Sequence, residues 1–232
     1  MQPRLKTPIN IAVPISGAGV GTMFASTLMK ELHAQNSRYV FHIVAKRALY
    51  TEMFLHSVER KDYIEVSSSH SDREIVELYE QLFDRVIISL EVSKPSEQAF
   101  KALFLPKQAG GVLLLFTQPV GRQEYDNLDF LTRHGLIPTS IEHEQLYSWA
   151  NKKTFISGED REWVRIAAKK WRGIRLPVDP HQAASFITWC HTQDIFTGMM
   201  DLRSFRTPEP GKAKEVDGDG VRLFWNEVEK LL

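Results

Sequence analysis

Two hydrophobic periods alternate along the first 140 residues. Asn10 to Ile15 (NIAVPI) is a short, almost wholly apolar run that opens into the stretch Ser16 to Thr22. Beyond it Met23, Phe24, Thr27, Leu28 and Leu32 recur at helical spacing. Tyr39 to Ala45 (YVFHIVA) has the β-branched and aromatic content of a strand, and a second helical pattern follows through about Arg60. A weaker strand pattern, Tyr63 to Val66, gives way to a Ser-rich turn. Asp72 to Phe83 predicts an amphipathic helix whose apolar face holds Ile75, Val76, Leu78, Tyr79 and Leu82. Arg85 to Leu90 (RVIISL) then predicts a buried strand, Ser96 to Leu105 a helix, and Gly111 to Thr117 (GVLLLFT) the most hydrophobic strand.

Apolar runs short enough for strands, separated by helices of ordinary length, imply a parallel sheet with right-handed crossovers. The expected fold is therefore α/β, a Rossmann-like parallel sheet flanked by helices, with a helical C-terminal extension. After about residue 140 the strand patterns stop. Glu142 to Lys153, Gly158 to Trp171 and Asp179 to Thr192 all read as helices. Ser157, three residues before Asp160, is placed to cap the middle one. Residues 203–220 are rich in Pro, Gly and charge, which reads as a solvated linker. Val221 to Leu232 reads as a last amphipathic helix. The expected division is thus a nucleotide-binding domain over 1–140, a helical extension packed on it over 141–202, a linker over 203–220 and a C-terminal helix over 221–232.

Charge narrows the function classes. The chain's 29 Lys and Arg are balanced by 29 Asp and Glu, which argues against coating nucleic acid or anionic lipid. One cysteine permits neither an internal disulfide framework nor a thiolate metal cage. No apolar run approaches the roughly 20 residues that span a bilayer, and residues 1–8 have no signal-peptide core. A cytoplasmic chain is expected. Its eight histidines show no metal spacing, and Glu142-His143-Glu144 lacks the second His of a zinc helix. Asp217-Gly218-Asp219 falls in the expected linker, so no metal is expected. Cys190 and the tryptophans at 163, 171 and 189 read as core.

Ligands of a parallel α/β sheet gather at the carboxyl ends of its strands, so the candidates are the loops that follow them. Glycines at 17, 19 and 21 let the backbone of Ser16, Gly17, Gly19, Val20, Gly21 and Thr22 approach an anion, with a helix N-terminus aimed at the loop. The same small residues also suit a tight strand-to-helix turn. The loop lacks the P-loop ending, and Thr22 stands where a Gly-x-Gly-x-x-Gly motif has its third glycine. Lys46 and Arg47 close the second strand, where an NAD site would place an acid. Lys94, Ser96 and Glu97 follow the fourth strand, and Gln123, Glu124 and Asn127 follow the fifth. The last group either orients hydroxyls of a sugar or caps a helix.

Asp84 to Pro138 resembles the C-terminal, nucleotide-sugar-binding half of GT-B glycosyltransferases of the peptidoglycan lipid-linked N-acetylglucosaminyltransferase and galactolipid synthase type. The shared features are VIIS, the Lys94-Pro95-Ser96 turn, a helix to Leu105, GGVLLLF, then Pro119, Gln123-Glu124 and Asn127, and LDFLTRHG closing at Gly135. The resemblance implies a donor domain of an inverting, metal-independent transferase. It implies that residues 16–22 hold the diphosphate of a UDP-linked sugar, that Lys94, Ser96, Glu97, Gln123, Glu124 and Asn127 serve nucleotide and sugar, and that no other cofactor is used. It also implies an N-terminal acceptor-binding half, in cis or as a partner subunit, through which the domain would meet a membrane peripherally. The sequence departs from the family at three places. Phe100-Lys101-Ala102 stands where a ribose-binding Glu is usual, Ser96 replaces Gly, and Arg122 replaces the Gly before Gln-Glu. These imply either a different nucleotide or a fold that has lost tight donor binding.

Two further readings stay open on the residues. One is an NADP-binding Rossmann oxidoreductase or sensor, with Lys46 and Arg47 on the 2′-phosphate. The other is a degenerate, non-catalytic interaction domain. No catalytic base stands out in any of them.

Overall fold

The structure is a computed structural model and describes residues 8–96, 111–116, 121–200 and 230. In chain order its elements are β1 (Ile9–Ile15), α1 (Thr22–Gln35), β2 (Tyr39–Lys46), α2 (Glu52–Val58), β3 (Ile64–Ser69) and α3 (Asp72–Arg85). They continue with β4 (Leu90–Ser93), β5 (Val112–Leu115), α4 (Arg122–Arg133), α5 (Ser140–Asn151), α6 (Gly158–Ala168), β6 (Gly173–Arg175), α7 (Pro180–Thr192) and α8 (Ile195–Met199). All described strand pairings are parallel, and the order across the sheet is β3-β2-β1-β4-β5-β6. The chain is therefore an α/β protein with a Rossmann-like sheet, as the alternating periods require.

Strand side chains alternate between two faces, and each face has its own core. Ile9, Ile11, Val13 and Ile15 of β1, with Phe41, Ile43, Leu90, Val92, Val112 and Leu114, point to one side. There Ala25, Leu28 and Leu32 of α1 and Phe186, Ile187 and Cys190 of α7 close over them. On the other side Ala12 and Val44 meet Tyr79 and Leu82 of α3, while Leu113 and Leu115 meet Leu131 of α4 and Ile137. Trp171 and Trp189 are buried, and Trp163 stands edge-on between Trp149 and Trp171.

Three local expectations are corrected. The strand patterns do not end at residue 140, because β6 pairs with β5 through Leu113↔Gly173, Leu114↔Ile174 and Leu115↔Arg175. Its three residues are too few to display a period. The fourth strand is Leu90–Ser93 and not Arg85 to Leu90. Helix α3 runs on to Arg85, the chain crosses to the sheet through residues 86–89, and Ser89 N–H donates to the Asn10 carbonyl. Ser157 occupies the N-cap of α6 without a side-chain hydrogen bond, while Ser71, Thr139 and Asp179 do cap their helices. Residues 202–232 form a separate unit, of which Lys230 alone is described. The expected linker and last helix lie outside the described residues, as does most of the helix expected over 96–105.

Candidate functional site at the strand-order reversal

In the sheet order the chain moves outward from β1 in one direction to β3, then returns to β1's other side with β4. The loops after β1 and β4 must leave the sheet toward opposite sides, and a crevice opens between them. A cleft of about 290 Å³ lies there, lined by Pro14, Ile15, Ser16, Gly17 and Val20 from β1 and its turn, and by Ser93, Lys94 and Ser96 from β4 and its turn. Lys46 and Val44 of β2 and Phe116 after β5 complete the strand side. The opposite wall is Asp72, Ile75, Val76 and Tyr79, one helical stripe of α3.

The turn after β1 is built from two reverse turns. Gly19 N–H donates to the Ser16 carbonyl over 2.9 Å, and Thr22 N–H to the Gly19 carbonyl over 3.3 Å. The Thr22 hydroxyl also donates to that carbonyl. Gly19 (φ 66°) and Gly21 (φ 82°) are left-handed, a region that disfavours any side chain. Gly21 is the N-cap of the fourteen-residue α1. Among the described residues the backbone N–H groups of Val20, Gly21, Met23 and Phe24 have no acceptor, so the turn and helix end present unspent donors.

Packing demands the same glycines. A Cβ on Gly19 would stand 2.6 Å from the Tyr50 carbonyl oxygen, and one on Gly21 would stand 2.2 Å from the Phe116 ring. Phe116 in turn stacks on Phe24 with ring centroids 5.1 Å apart. The tight packed turn expected of this loop is present, and the same geometry leaves backbone donors without acceptors among the described residues.

Two lysines flank the cleft. Lys46 Nζ lies 2.6 Å from Asp72 Oδ2, and Lys94 Nζ lies 3.1 Å from Glu124 Oε1. Asn127 Nδ2 donates to the Pro95 carbonyl over 3.2 Å. Glu124 and Asn127, one turn apart on α4, are thus brought to the Lys94-Pro95 turn and hold it, while Gln123 is exposed on the first turn of α4. None of residues 123, 124 and 127 lines the cleft. Arg47 is engaged elsewhere, with Glu52, Glu59 and the Ser68 hydroxyl. Glu97 and Pro119 lie outside the described residues.

Comparison of the chain with family models, with curated proteins and with solved structures finds no match. The site is therefore read from its geometry. Among the described residues no helix is long and apolar enough to cross a membrane. Cys190 is fully buried on α7, and burial pushes its thiol well above the ordinary range, which removes the thiolate a nucleophile needs.

Sequence reasoning located the β1 and β4 turns but missed the α3 wall and Glu91. Glu91 on β4 is 3% exposed and accepts a 2.6 Å hydrogen bond from the Tyr79 hydroxyl. Burial raises its carboxyl from 4.5 to about 7, and the bond from Tyr79 opposes that rise. The signal was a lone acid inside an apolar strand, two residues before Ser93.

Proposed function

We propose that the cleft binds the diphosphate of a nucleotide sugar and that residues 8–200 act as the donor domain of an inverting, metal-independent transferase of the GT-B kind. The observation that supports this is the meeting of the β1 glycine turn and the Lys94-Pro95-Ser96 turn in one cleft at the strand-order reversal. In this reading the N–H groups at Val20, Gly21, Met23 and Phe24 receive phosphate oxygens, and Lys94 and Lys46 supply the charge. The same positive helix end stabilises the nucleoside diphosphate as it leaves, a role that elsewhere falls to a metal. Glu124 and Asn127 fix the Lys94 turn so that its ammonium is positioned before ligand arrives. The acceptor and general base would come from an N-terminal half, in cis or as a partner subunit. A buried free thiol accords with a cytoplasmic protein. The NADP alternative has less support, because the Arg47 guanidinium is committed to two carboxylates.

Isothermal titration with UDP-N-acetylglucosamine, GDP-mannose, ADP-glucose and NADPH tests the proposal. One nucleoside diphosphate sugar is expected to bind, and Lys94→Ala to weaken it by about tenfold or more, the loss of one charge-assisted bond. Binding of NADPH alone would favour the oxidoreductase reading. Binding of none of the four would refute both.

A further inference from the structure

Glu91 has no task in donor binding as described, yet it sits directly behind the cleft. It shares a sheet face with Ser93 and lies two residues nearer the start of β4, beside Ala12 of β1 and Leu113 of β5. Its Oε2 takes the Tyr79 bond, and its Oε1 is buried with no partner among the described residues. Tyr79 belongs to the α3 wall of the cleft, so one side chain joins that wall to a carboxyl embedded behind it. The described elements around Glu91 bring no compensating charge. β1 and β5 present Ala12 and Leu113, α3 presents the neutral Tyr79, and the charges at the cleft, Lys46 and Lys94, are paired with Asp72 and Glu124.

We propose that binding a phosphate-bearing ligand in the cleft draws a proton from solvent onto Glu91, with Tyr79 as the contact that carries the coupling. The inference rests on the cleft being a phosphate site. A carboxylate this deep is poorly screened, so phosphate charge arriving in front of it disfavours its ionised form more than water would allow. The proton adds to a carboxyl oxygen from buffer, no other bond breaks, and Oε1 is the oxygen with a free position. Burial, net of the opposing Tyr79 bond, already brings Glu91 to the middle of its titration near neutrality, so phosphate charge in the cleft shifts it measurably.

Titration of the full chain with UDP-N-acetylglucosamine at pH 7, in buffers of different ionisation enthalpy, reads the coupling directly. The diphosphate diester of this probe exchanges no proton in that range. Uptake approaching about half a proton per ligand, the most a half-protonated group can take, is expected, with Kd rising by about five- to tenfold from pH 6 to pH 8. Glu91→Gln is expected to abolish both, and Tyr79→Phe to reduce the uptake. Binding without uptake, or uptake kept in Glu91→Gln, would overturn the coupling and leave the donor reading standing. No heat at any pH with this probe, GDP-mannose or ADP-glucose would overturn both. Carbon-13 spectra of Glu-labelled wild-type chain keep the idea testable should Glu91→Gln not fold. One carboxyl is expected to titrate near neutrality and to move higher on adding the probe, whereas all glutamates titrating below about pH 5.5 would sink it.

Discussion

Acidification should release the last described strand of the sheet from helix α5 through one histidine. His143 is 3% exposed, with Nδ1 3.1 Å from the Thr139 carbonyl oxygen and Nε2 2.9 Å from the Arg175 backbone nitrogen. A carbonyl can only accept and an amide N–H can only donate. The ring is therefore neutral, with its proton on Nδ1 and its lone pair on Nε2. A second proton would have to enter between Nε2 and the Arg175 N–H, which breaks the tie between α5 and β6. Burial first, and then the Arg175 charge, hold the imidazole down from 6.5 to about 4. Because the folded value lies below the unfolded one, the contribution is whole above about pH 6.5 and is lost as pH falls to about 4. At about 1.4 kcal/mol per pH unit, that interval amounts to about 3 kcal/mol. Glu91 opposes this over an overlapping range. Its folded value of about 7 exceeds 4.5, so its contribution is whole below pH 4.5 and is lost as pH rises to about 7. Two opposing slopes make the wild-type profile uninformative by itself. His143→Gln keeps a donor and an acceptor but does not titrate. Urea unfolding of both chains from pH 4 to pH 7 isolates the histidine as the difference between them. That difference should shrink by about 3 kcal/mol between pH 6.5 and pH 4, with the denaturant slope unchanged. If it varies by less than about 1 kcal/mol, the latch assigned to His143 is wrong.

Two further outcomes separate packing from binding. Gly21→Ala forces a left-handed alanine against the Phe116 ring and should cost about 3 kcal/mol in urea unfolding. Gly17→Ala would press closely only on the flexible Lys46 side chain, at 3.1 Å, with Ala48 at an ordinary 3.7 Å, and should leave stability within about 1 kcal/mol while weakening ligand binding as Lys46 is displaced; equal stability losses in the two variants would contradict this division. Cys190, buried with its thiol pushed up, should resist a soluble thiol reagent in the native chain and react only as fast as the chain unfolds. Full labelling within minutes under native conditions would place it outside the core.

The sheet was legible wherever burial on both faces produced an unbroken apolar run, as in β1, β2 and β5. It was misread where burial and apolarity part company. In the fourth strand the apolar Val86, Ile87 and Ile88 precede the strand, Ile87 is exposed, and the strand interior contains Glu91. No hydropathy rule anticipates a carboxyl kept inside by a tyrosine of the preceding helix. β6 escaped because Gly173-Ile174-Arg175 joins the sheet by following Arg172, whose Nη1 donates to the carbonyls of Lys169, Trp171 and Met199. The candidate site divides the same way. Strand-end loops are predictable from topology, so the turns at 16–22 and 94–96 could be placed on one edge from sequence. The α3 wall could not, because Asp72, Ile75, Val76 and Tyr79 repeat at the spacing of any core-facing helix stripe. Glu124 and Asn127 were sought as ligand groups. The structure brings both to the Lys94-Pro95 turn, a relation between elements that local spacing does not encode.

The three glycines show why a motif and a site must be argued separately. Gly19 and Gly21 are fixed by the Tyr50 carbonyl and the Phe116 ring, and both would be required if the cleft never held a ligand. A glycine-rich turn after a first strand is therefore evidence about packing before it is evidence about phosphate. What turns the packed corner into a candidate site is the set of features that packing does not require. The donors at Val20, Gly21, Met23 and Phe24 have no acceptor among the described residues, and two lysines approach from different strands. Each lysine is held by a carboxylate, Asp72 at the edge of solvent and Glu124 largely buried, so the Lys46 pair is the easier of the two to exchange. In the donor reading, an incoming diphosphate would compete with one carboxylate at each lysine and meet the helix end unopposed. Net affinity then depends on how much the α1 terminus and the glycine turn add beyond that exchange. If the cleft takes a phosphate, that balance would let a chain of zero formal charge do so, with the decisive free energy in the backbone of residues 20–24 rather than in the lysines.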